Sequence, residues 1–251
     1  MRKFIRPVLG LAFLASAAPA FAEDAKPFTI NGTATLTSDY RFRGISQTNK
    51  GLALQGSMTV SHESGAYASI WGSSIDDYVA NGGDQELDLI AGYKKTVGGT
   101  TFDMGGLYYY YPGSSTGGKK YYSDFLELYG SIAQSFGPAT AKVTANYAPK
   151  QNALKLDKAK EDNLYVNFAL SSPVPNTPIS VSAAFGRTLT KSFLSGGQRY
   201  SDWSLGASYT TGAMTFGVTY VDTSYAKNAL VGRDGRDIAK AGLFGSVGVA
   251  F

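Results

Sequence analysis

The sequence predicts an all-β fold, a single antiparallel up-and-down transmembrane β-barrel of about 12 strands, and three observations predict it. Apolar and polar residues alternate through twelve short stretches. Since successive side chains of a strand point to opposite faces, each stretch has one apolar and one polar face. The connectors between the stretches are alternately short and long, and the chain ends on an alternating stretch closed by Phe251. Together these features are typical of bacterial outer-membrane barrels.

The chain begins with the features of an export signal. Arg2, Lys3 and Arg6 make a basic start, residues 8–18 form an apolar run, and a small-residue cleavage site ends at Ala22. We therefore expect residues 1–22 to be a signal peptide and residues 23–251 to be one outer-membrane β-barrel domain. Three of the 23 basic residues lie in the signal, so 20 remain to face 19 acidic residues. The basic charge of the whole chain is therefore no argument for a nucleic-acid partner.

Composition excludes several other classes of protein. No stretch after the signal has the ~18 consecutive apolar residues that a spanning helix needs, whereas a closed barrel can span because its backbone groups are satisfied between strands. The chain has no Cys, which excludes disulfide and thiolate chemistry. Its 30 Gly, 17 Tyr and 14 Phe favour strands, tight turns and aromatic girdles.

The alternation is clearest in the first strand. Leu36, Tyr40 and Phe42 share the apolar parity there, and Arg41 and Arg43 share the polar one. The predicted strands lie near residues 33–43, 52–62, 66–75, 85–96, 100–111, 123–135, 139–147, 162–171, 179–188, 200–210, 213–222 and 241–251.

Connector length predicts the orientation of the barrel. Barrels of this class have short periplasmic turns and longer external loops, so both termini are expected on the periplasmic side. The short connectors lie at residues 63–65, 97–99, 136–138, 173–177 and 211–212. The long connectors include residues 76–84, 112–122, 148–161 and 222–239.

Two predicted strands depart from the alternation of apolar and polar residues. Ile70 and Trp71 have opposite parity in the third strand, and Leu107 falls with the polar set in the fifth. We expect a miscounted boundary or a β-bulge at one of them.

Phe251 resembles the carboxy-terminal aromatic signal of outer-membrane barrels, so the barrel assembly machinery and the outer-membrane lipid are expected partners.

Two stretches near the start of the predicted barrel carry a motif. They read Thr37-Ser38-Asp39-Tyr40-Arg41-Phe42-Arg43-Gly44-Ile45-Ser46-Gln47 and Ser61-His62-Glu63-Ser64-Gly65, the second followed by Tyr67 and Trp71-Gly72-Ser73. These stretches resemble the TorF porin family over roughly residues 33–75. The resemblance implies an outer-membrane barrel with a transport role, and it implies no particular substrate.

Residues that carry catalytic or cofactor chemistry are scarce. Residues 113–120 nearly fit a phosphate-binding loop, but Lys120 stands where Ser or Thr should hold magnesium, and a strand pattern follows. His62 is the one histidine and adjoins a short turn, so we interpret it as a periplasmic rim residue and not as a catalytic base. One His without Cys leaves no transition-metal cluster. We predict no enzyme activity and no cofactor.

The polar parity places charged residues inside the predicted barrel. The first and sixth strands lie almost opposite each other in a ring of twelve, so basic and acidic walls would create a transverse field that filters polar solutes. The alternative is a salt-bridged plug, because buried charges must pair. The six candidate constriction residues are Asp39, Arg41, Arg43, Glu86, Asp88 and Glu127.

The lumen decides which function is expected. Barrels of about eight strands have filled interiors and those of about 16 to 18 enclose aqueous channels, so about twelve strands lies between these cases. We expect an outer-membrane porin-like channel for passive diffusion of small polar or ionic solutes. The alternative is a non-conducting structural or adhesive barrel with a salt-bridged lumen. The sequence leaves open whether an external loop folds inward.

Overall fold

A computed structural model describes residues 27–116, 119–120 and 122–251 and shows a closed antiparallel barrel of twelve strands. Each strand pairs with its neighbours in the chain, and the first strand closes the ring against the last. The strands are β1 (Phe28–Thr37), β2 (Ala53–His62), β3 (Ala66–Ser74), β4 (Gln85–Val97), β5 (Thr100–Tyr110), β6 (Phe125–Phe136), β7 (Ala139–Ala148), β8 (Asn163–Pro173), β9 (Ile179–Thr188), β10 (Ser201–Thr211), β11 (Met214–Thr223) and β12 (Gly242–Ala250). The predicted fold class is confirmed.

The rest of the described chain forms turns and loops with short regular pieces. Two single 3-10 turns lie at Asn152–Leu154 and Phe193–Ser195, and a two-residue strand pair joins Ser115–Thr116 to Lys119–Lys120. Within the described ranges, no helix is long and apolar enough to cross a membrane. The predicted signal peptide, residues 1–22, lies outside the described residues, as do Gly117 and Gly118 of the near phosphate-loop motif.

The outer face of the barrel is apolar on every side. Leu89, Leu128, Leu205 and Val247 point outward from four different strands, and Leu128 is 50% exposed in the isolated chain. Such a surface is stable only when an apolar solvent covers it, which the hydrocarbon core of a bilayer provides. The alternation that predicted this face is confirmed along the strands.

The two ends of the barrel differ as the connector lengths predicted. The short turns at residues 63–65, 98–99, 137–138, 174–178 and 212–213 share one end with Pro27 and Phe251, the first and last described residues. The connectors at residues 38–52, 75–84, 111–124, 149–162, 189–200 and 224–241 share the other end, which we call the loop end.

The first predicted strand is wrong over its second half. It was expected to continue to residue 43, with Tyr40 and Phe42 facing lipid, but β1 ends at Thr37 and Tyr40 is only 4% exposed. The chain leaves the wall and folds into the lumen as an inner hairpin, residues 39–48. Its two strands, Arg41–Phe42 and Ile45–Ser46, pair with each other and not with the barrel.

The expected bulge is also absent from the described pairing. Ile70 and Trp71 lie in an unbroken register between β2 and β4, and Leu107 lies in an unbroken register between β4 and β6. Trp71 and Leu107 are apolar residues that point inward. Both residues keep the strict alternation of their strands because the inner hairpin provides an apolar partner for them inside the barrel.

Candidate functional site: the barrel lumen

An ion pair between Arg41 and Asp39 stabilises the inner hairpin from within. Arg41 donates from Nε to Asp39 at 2.6 Å, and the Ser46 hydroxyl donates to the same carboxylate at 2.6 Å. Arg41 Nη1 also donates to the carbonyl of Gly44 at 2.9 Å and to that of Ile238 at 3.2 Å. The pair therefore fixes the hairpin turn and ties it to the loop before β12.

The turn of the inner hairpin needs a glycine at one position. Arg43 and Gly44 form its two-residue turn, with φ of 50° and 82°, and a two-residue turn with positive φ at both positions matches the twist of hairpin strands. A Cβ atom on Gly44 would lie 2.6 Å from Thr223 Cγ2 and 2.9 Å from Asp202 Cβ. The turn therefore approaches β10 and β11 too closely for any side chain at this position.

Arg43 fastens the tip of the inner hairpin to the far side of the barrel. Its guanidinium binds Glu127 on β6 at 2.6 Å and the Asn163 side-chain oxygen on β8 at 3.0 Å. It also lies over the Phe42 and Tyr165 rings, with its Cζ 4.7 Å and 4.3 Å from their centroids. The Arg43 and Glu127 side chains are only 7% and 2% exposed. Removing either partner would leave a buried charge without compensation.

Aromatic contacts hold the opposite edge of the inner hairpin. The Tyr40 hydroxyl donates to Glu86 at 2.9 Å, and its ring packs edge-on against Trp71 with centroids 5.4 Å apart. Phe42 packs edge-on against Tyr109 at 6.0 Å. The hairpin therefore crosses the lumen from β12 to β4, β6 and β8, and it touches the wall through buried side chains.

The loop end covers the inner hairpin from outside. The Tyr78 hydroxyl donates to the backbone oxygen of Ser46, and burial raises the pKa of Tyr78 to about 12, so the phenol remains a donor at neutral pH. The amide of Asp76 donates to the Gln47 carbonyl at 2.8 Å. Asp77 forms an ion pair with Arg233, which joins two loops at the surface.

Two parts of the inner wall have different side chains. The crowded wall, β3 to β6, carries bulky and charged inward residues, whereas the open wall, β9 to β12, carries mainly Ser, Thr, Gly and Ala. Inward residues of the crowded wall are Tyr67, Trp71, Glu86, Asp88, Ile90, Asp103, Leu107, Tyr109, Phe125, Glu127 and Tyr129. Inward residues of the open wall include Ser182, Ala184, Ser204, Gly206, Ser208, Thr215, Gly217, Thr219, Ser246 and Gly248.

Two cavities lie on opposite sides of the inner hairpin. The lower cavity, of about 390 Å³, extends along the open wall from the short-turn end to Arg43 and Gly44. The upper cavity, of about 440 Å³, lies among the loops of the loop end, and Phe42 borders both cavities. The hairpin is thus a partition in the lumen.

The predicted constriction residues are found inside the barrel in a different arrangement. Glu86, Asp88 and Glu127 point inward from β4 and β6 as expected. The expected basic wall is wrong, because Asp39, Arg41 and Arg43 lie on the inner hairpin and not on β1. Charges of opposite sign therefore touch in the lumen instead of facing each other across it.

Sequence reasoning missed further lumen charges that the same parity would have found. Asp103 follows outward Phe102, and Lys142 precedes outward Val143; Asp202 likewise adjoins outward Trp203. Tyr67 donates to Asp103 at 2.8 Å.

Phe251 and His62 lie at the short-turn end. The Phe251 ring covers Gly32, and the two residues exchange backbone hydrogen bonds of 2.8 Å and 3.0 Å that extend the closure of β1 against β12. His62 Nδ1 hydrogen-bonds the Ser64 hydroxyl at 2.8 Å, and its ring lies 4.8 Å from that of Phe28. In the part of the chain that the structure describes, no group of His, Cys, Asp and Glu is arranged to hold a metal ion.

A closed barrel with an inward-folded segment can be compared with known proteins. A sequence profile for bacterial proteins of unknown function (Gcw_chp) matches residues 21–251. The chain belongs to the Gcw_chp family. No curated protein sequence matches the chain significantly.

Solved structures of similar fold include outer-membrane porins and channels. The NanC porin is 11% identical with a TM-score of 0.56, and the match covers 89% of this chain and 99% of that one. An outer membrane channel from Pseudomonas putida F1 is 10% identical with a TM-score of 0.54, and the match covers 94% and 99% of the two chains. At these identities the likeness shows the barrel fold alone.

Proposed function

We propose that this member of the Gcw_chp family is an outer-membrane, porin-like channel for passive diffusion of small polar or ionic solutes. The observation that carries the proposal is the lower cavity, whose hydroxyl-rich lining continues along the open wall from the short-turn end to the inner hairpin. A structural barrel needs no such space, because side chains can fill it.

The inner hairpin would be the selective part of this channel. It separates the two cavities of the lumen and carries Asp39, Arg41 and Arg43, while Glu86, Asp88 and Glu127 point inward from the wall. Charged groups at a constriction discriminate among ions and polar solutes. We assign the six residues this role, with the hairpin in place of the basic wall that the sequence predicted.

The same architecture supports an outer-membrane location. The apolar outer face fits a bilayer, and the resemblance to the TorF family supports a transport role. The short turns and termini would face the periplasm. In intact cells, Ser115→Cys should react with a membrane-impermeant thiol reagent, and Ser64→Cys should not. The reverse labelling pattern would invert the barrel.

A second function is favoured by one specific contact. The Arg43–Glu127 pair joins the inner hairpin to the wall through nearly inaccessible side chains, as a permanent plug would. In that case the protein would be a non-conducting structural or adhesive barrel.

Conductance of purified, refolded protein in a planar bilayer separates the two functions. A channel should give discrete current steps in wild type. In the channel, Arg41→Ala should shift the reversal potential towards cations and Glu127→Ala towards anions, and both shifts should shrink in high salt because the charges are screened. A silent wild type that stays silent after Arg43→Ala supports the structural barrel and contradicts the channel.

A further inference from the structure

Among the residues that the structure describes, no basic side chain forms an ion pair with the carboxylates on the inner face of β4. The charged groups close enough to act on Asp88 are those of Glu86 and Glu127, both of the same sign. Glu127 already binds Arg43, and Glu86 accepts hydrogen bonds from the neutral phenols of Tyr40 and Tyr111. Buried charges are ordinarily paired, and within the described part of the chain this region of the wall shows no counter-charge.

Asp88 is the clearest case of a buried carboxylate without compensation. It is 1% exposed, and its Oδ1 atom has no hydrogen-bond partner among the described residues. An unsatisfied buried acceptor carries the full cost of its lost hydration. Asp88 borders the lower cavity and Glu86 borders the upper one. The two carboxylates, two residues apart on the same face of β4, therefore lie on either side of the partition.

The upper cavity has a lining suited to hydrocarbon. Phe42, Val79, Leu154, Leu156 and Ile238 border it, and these residues come from the inner hairpin and three of the loops. Its volume of about 440 Å³ is within the range of small-molecule sites, which are mostly apolar with a few polar groups. Here Glu86 supplies a carboxylate at its base.

We propose that the loop end binds organic cations: the upper cavity holds the hydrocarbon body of an alkyl- or arylammonium ion, and Glu86 accepts its ammonium group. Asp88 is the next carboxylate along the wall and receives the cation below the partition. As a statement about solute class this rests on the proposed channel function, but binding at the upper cavity is measurable without conductance.

The closing experiment uses a tryptophan that the chain already provides. Trp71 and Trp203 are its two tryptophans, and Trp71 packs on Tyr40, whose hydroxyl binds Glu86. In a Trp203→Phe background, Trp71 fluorescence of the refolded full chain in detergent is titrated with n-hexylammonium, n-butylammonium and methylammonium. Hexanoate and 1-hexanol are the matched anionic and neutral probes.

A saturable signal with hexylammonium is the expected result. Affinity should rise about fourfold per methylene, as expected for burying each CH₂ group, and hexanoate should bind at least about tenfold more weakly. Glu86→Gln should weaken binding of all three cations, whereas Glu63→Gln, the same change at the exposed short-turn end, should not. Leu156→Ala should weaken hexylammonium only, and Leu189→Ala, outside the cavity, should leave it unchanged.

Three outcomes separate the site from the channel. Equal binding of hexylammonium and hexanoate, or none of either, overturns the proposed site. Hexylammonium binding without any bilayer conductance supports the site and contradicts the channel. Conductance that hexylammonium blocks from the loop side, with loss of block in Glu86→Gln and retention in Glu63→Gln, supports both.

Discussion

The crowded wall and the open wall share antiparallel pairing and an apolar outer face, with strands of 9 to 13 residues in the first and 9 to 11 in the second, and they differ in the side chains that point inward. On the crowded wall, Tyr67 and Tyr129 lie over Gly92 and Gly105 and their hydroxyls hydrogen-bond each other. On the open wall, Gly206 and Gly217 face hydroxyl side chains and a cavity. The alternation of apolar and polar residues therefore determines that a barrel forms. The volume of the inward side chains determines which part of the lumen stays open to solutes.

The difference also explains where the inner hairpin lies. Apolar groups such as Trp71, Leu107 and Phe125 gain nothing in an aqueous lumen and are stable only when a partner covers them. Tyr40 and Phe42 are that partner. The hairpin packs its aromatic side chains against the wall that offers aromatic surface. It meets the open wall at its turn, where Gly44 lies beside Asp202 and Thr223, and the lower cavity extends along the small polar residues below that contact.

The largest expected effect comes from breaking the contact that spans the lumen. Arg43→Ala leaves Glu127 buried without its partner, so the free energy of unfolding should fall by about 3–5 kcal/mol, measured by urea unfolding in detergent micelles. Arg187→Ala, which removes an exposed arginine on β9, is the matched control and should change little. Equal losses in the two variants would mean that the hairpin tip is not fastened to the crowded wall.

A smaller effect tests whether the outer faces of the two walls are equivalent. Leu128→Arg on the crowded wall and Leu205→Arg on the open wall each place a charge in lipid. Both should lose about 2–4 kcal/mol near the bilayer midplane, measured by unfolding in lipid bilayers. A loss confined to one wall would show that the walls differ outside as well as inside.

A matched pair of glycines tests the difference in inward volume. A Cβ on Gly105 would meet the Ala91 backbone oxygen and the Tyr129 ring, whereas a Cβ on Gly217 would meet only the rotatable Ser246 hydroxyl at 2.6 Å. Gly105→Ala should therefore lower the unfolding free energy by about 1–3 kcal/mol, as overpacking does. Gly217→Ala should be nearly neutral, and similar costs at both positions would remove the distinction between the walls.

The smallest change in stability is expected from substitutions of hydroxyl residues that border the lower cavity. Thr144→Ser and Ser204→Ala change a side chain beside open space, so the unfolding free energy should change by less than about 0.5 kcal/mol. Thermal unfolding followed by circular dichroism checks this. A large loss in Ser204→Ala would show that the open wall is packed.

Most of the barrel was predictable because alternation, connector length and turn residues all report local geometry. Glu86, Asp88 and Glu127 were placed inward because leucines on either side had to face lipid. The same rule failed at Tyr40 and Phe42, because an apolar parity states that a residue avoids water and not whether lipid or the inner wall covers it. Two other residues did indicate the inner hairpin. Trp71 and Leu107 are apolar but lie on the inward-facing parity, so they require an apolar segment inside the barrel.

The central claim is that the inner hairpin is a removable partition between two cavities. Its most direct test is single-channel conductance of wild type against a variant with residues 40–47 replaced by two glycines, each verified as folded by heat-modifiable gel mobility. The account predicts a several-fold larger conductance and weaker ion selectivity in the variant. Equal conductance and selectivity in two folded proteins would show that the hairpin does not control the passage and would contradict the account.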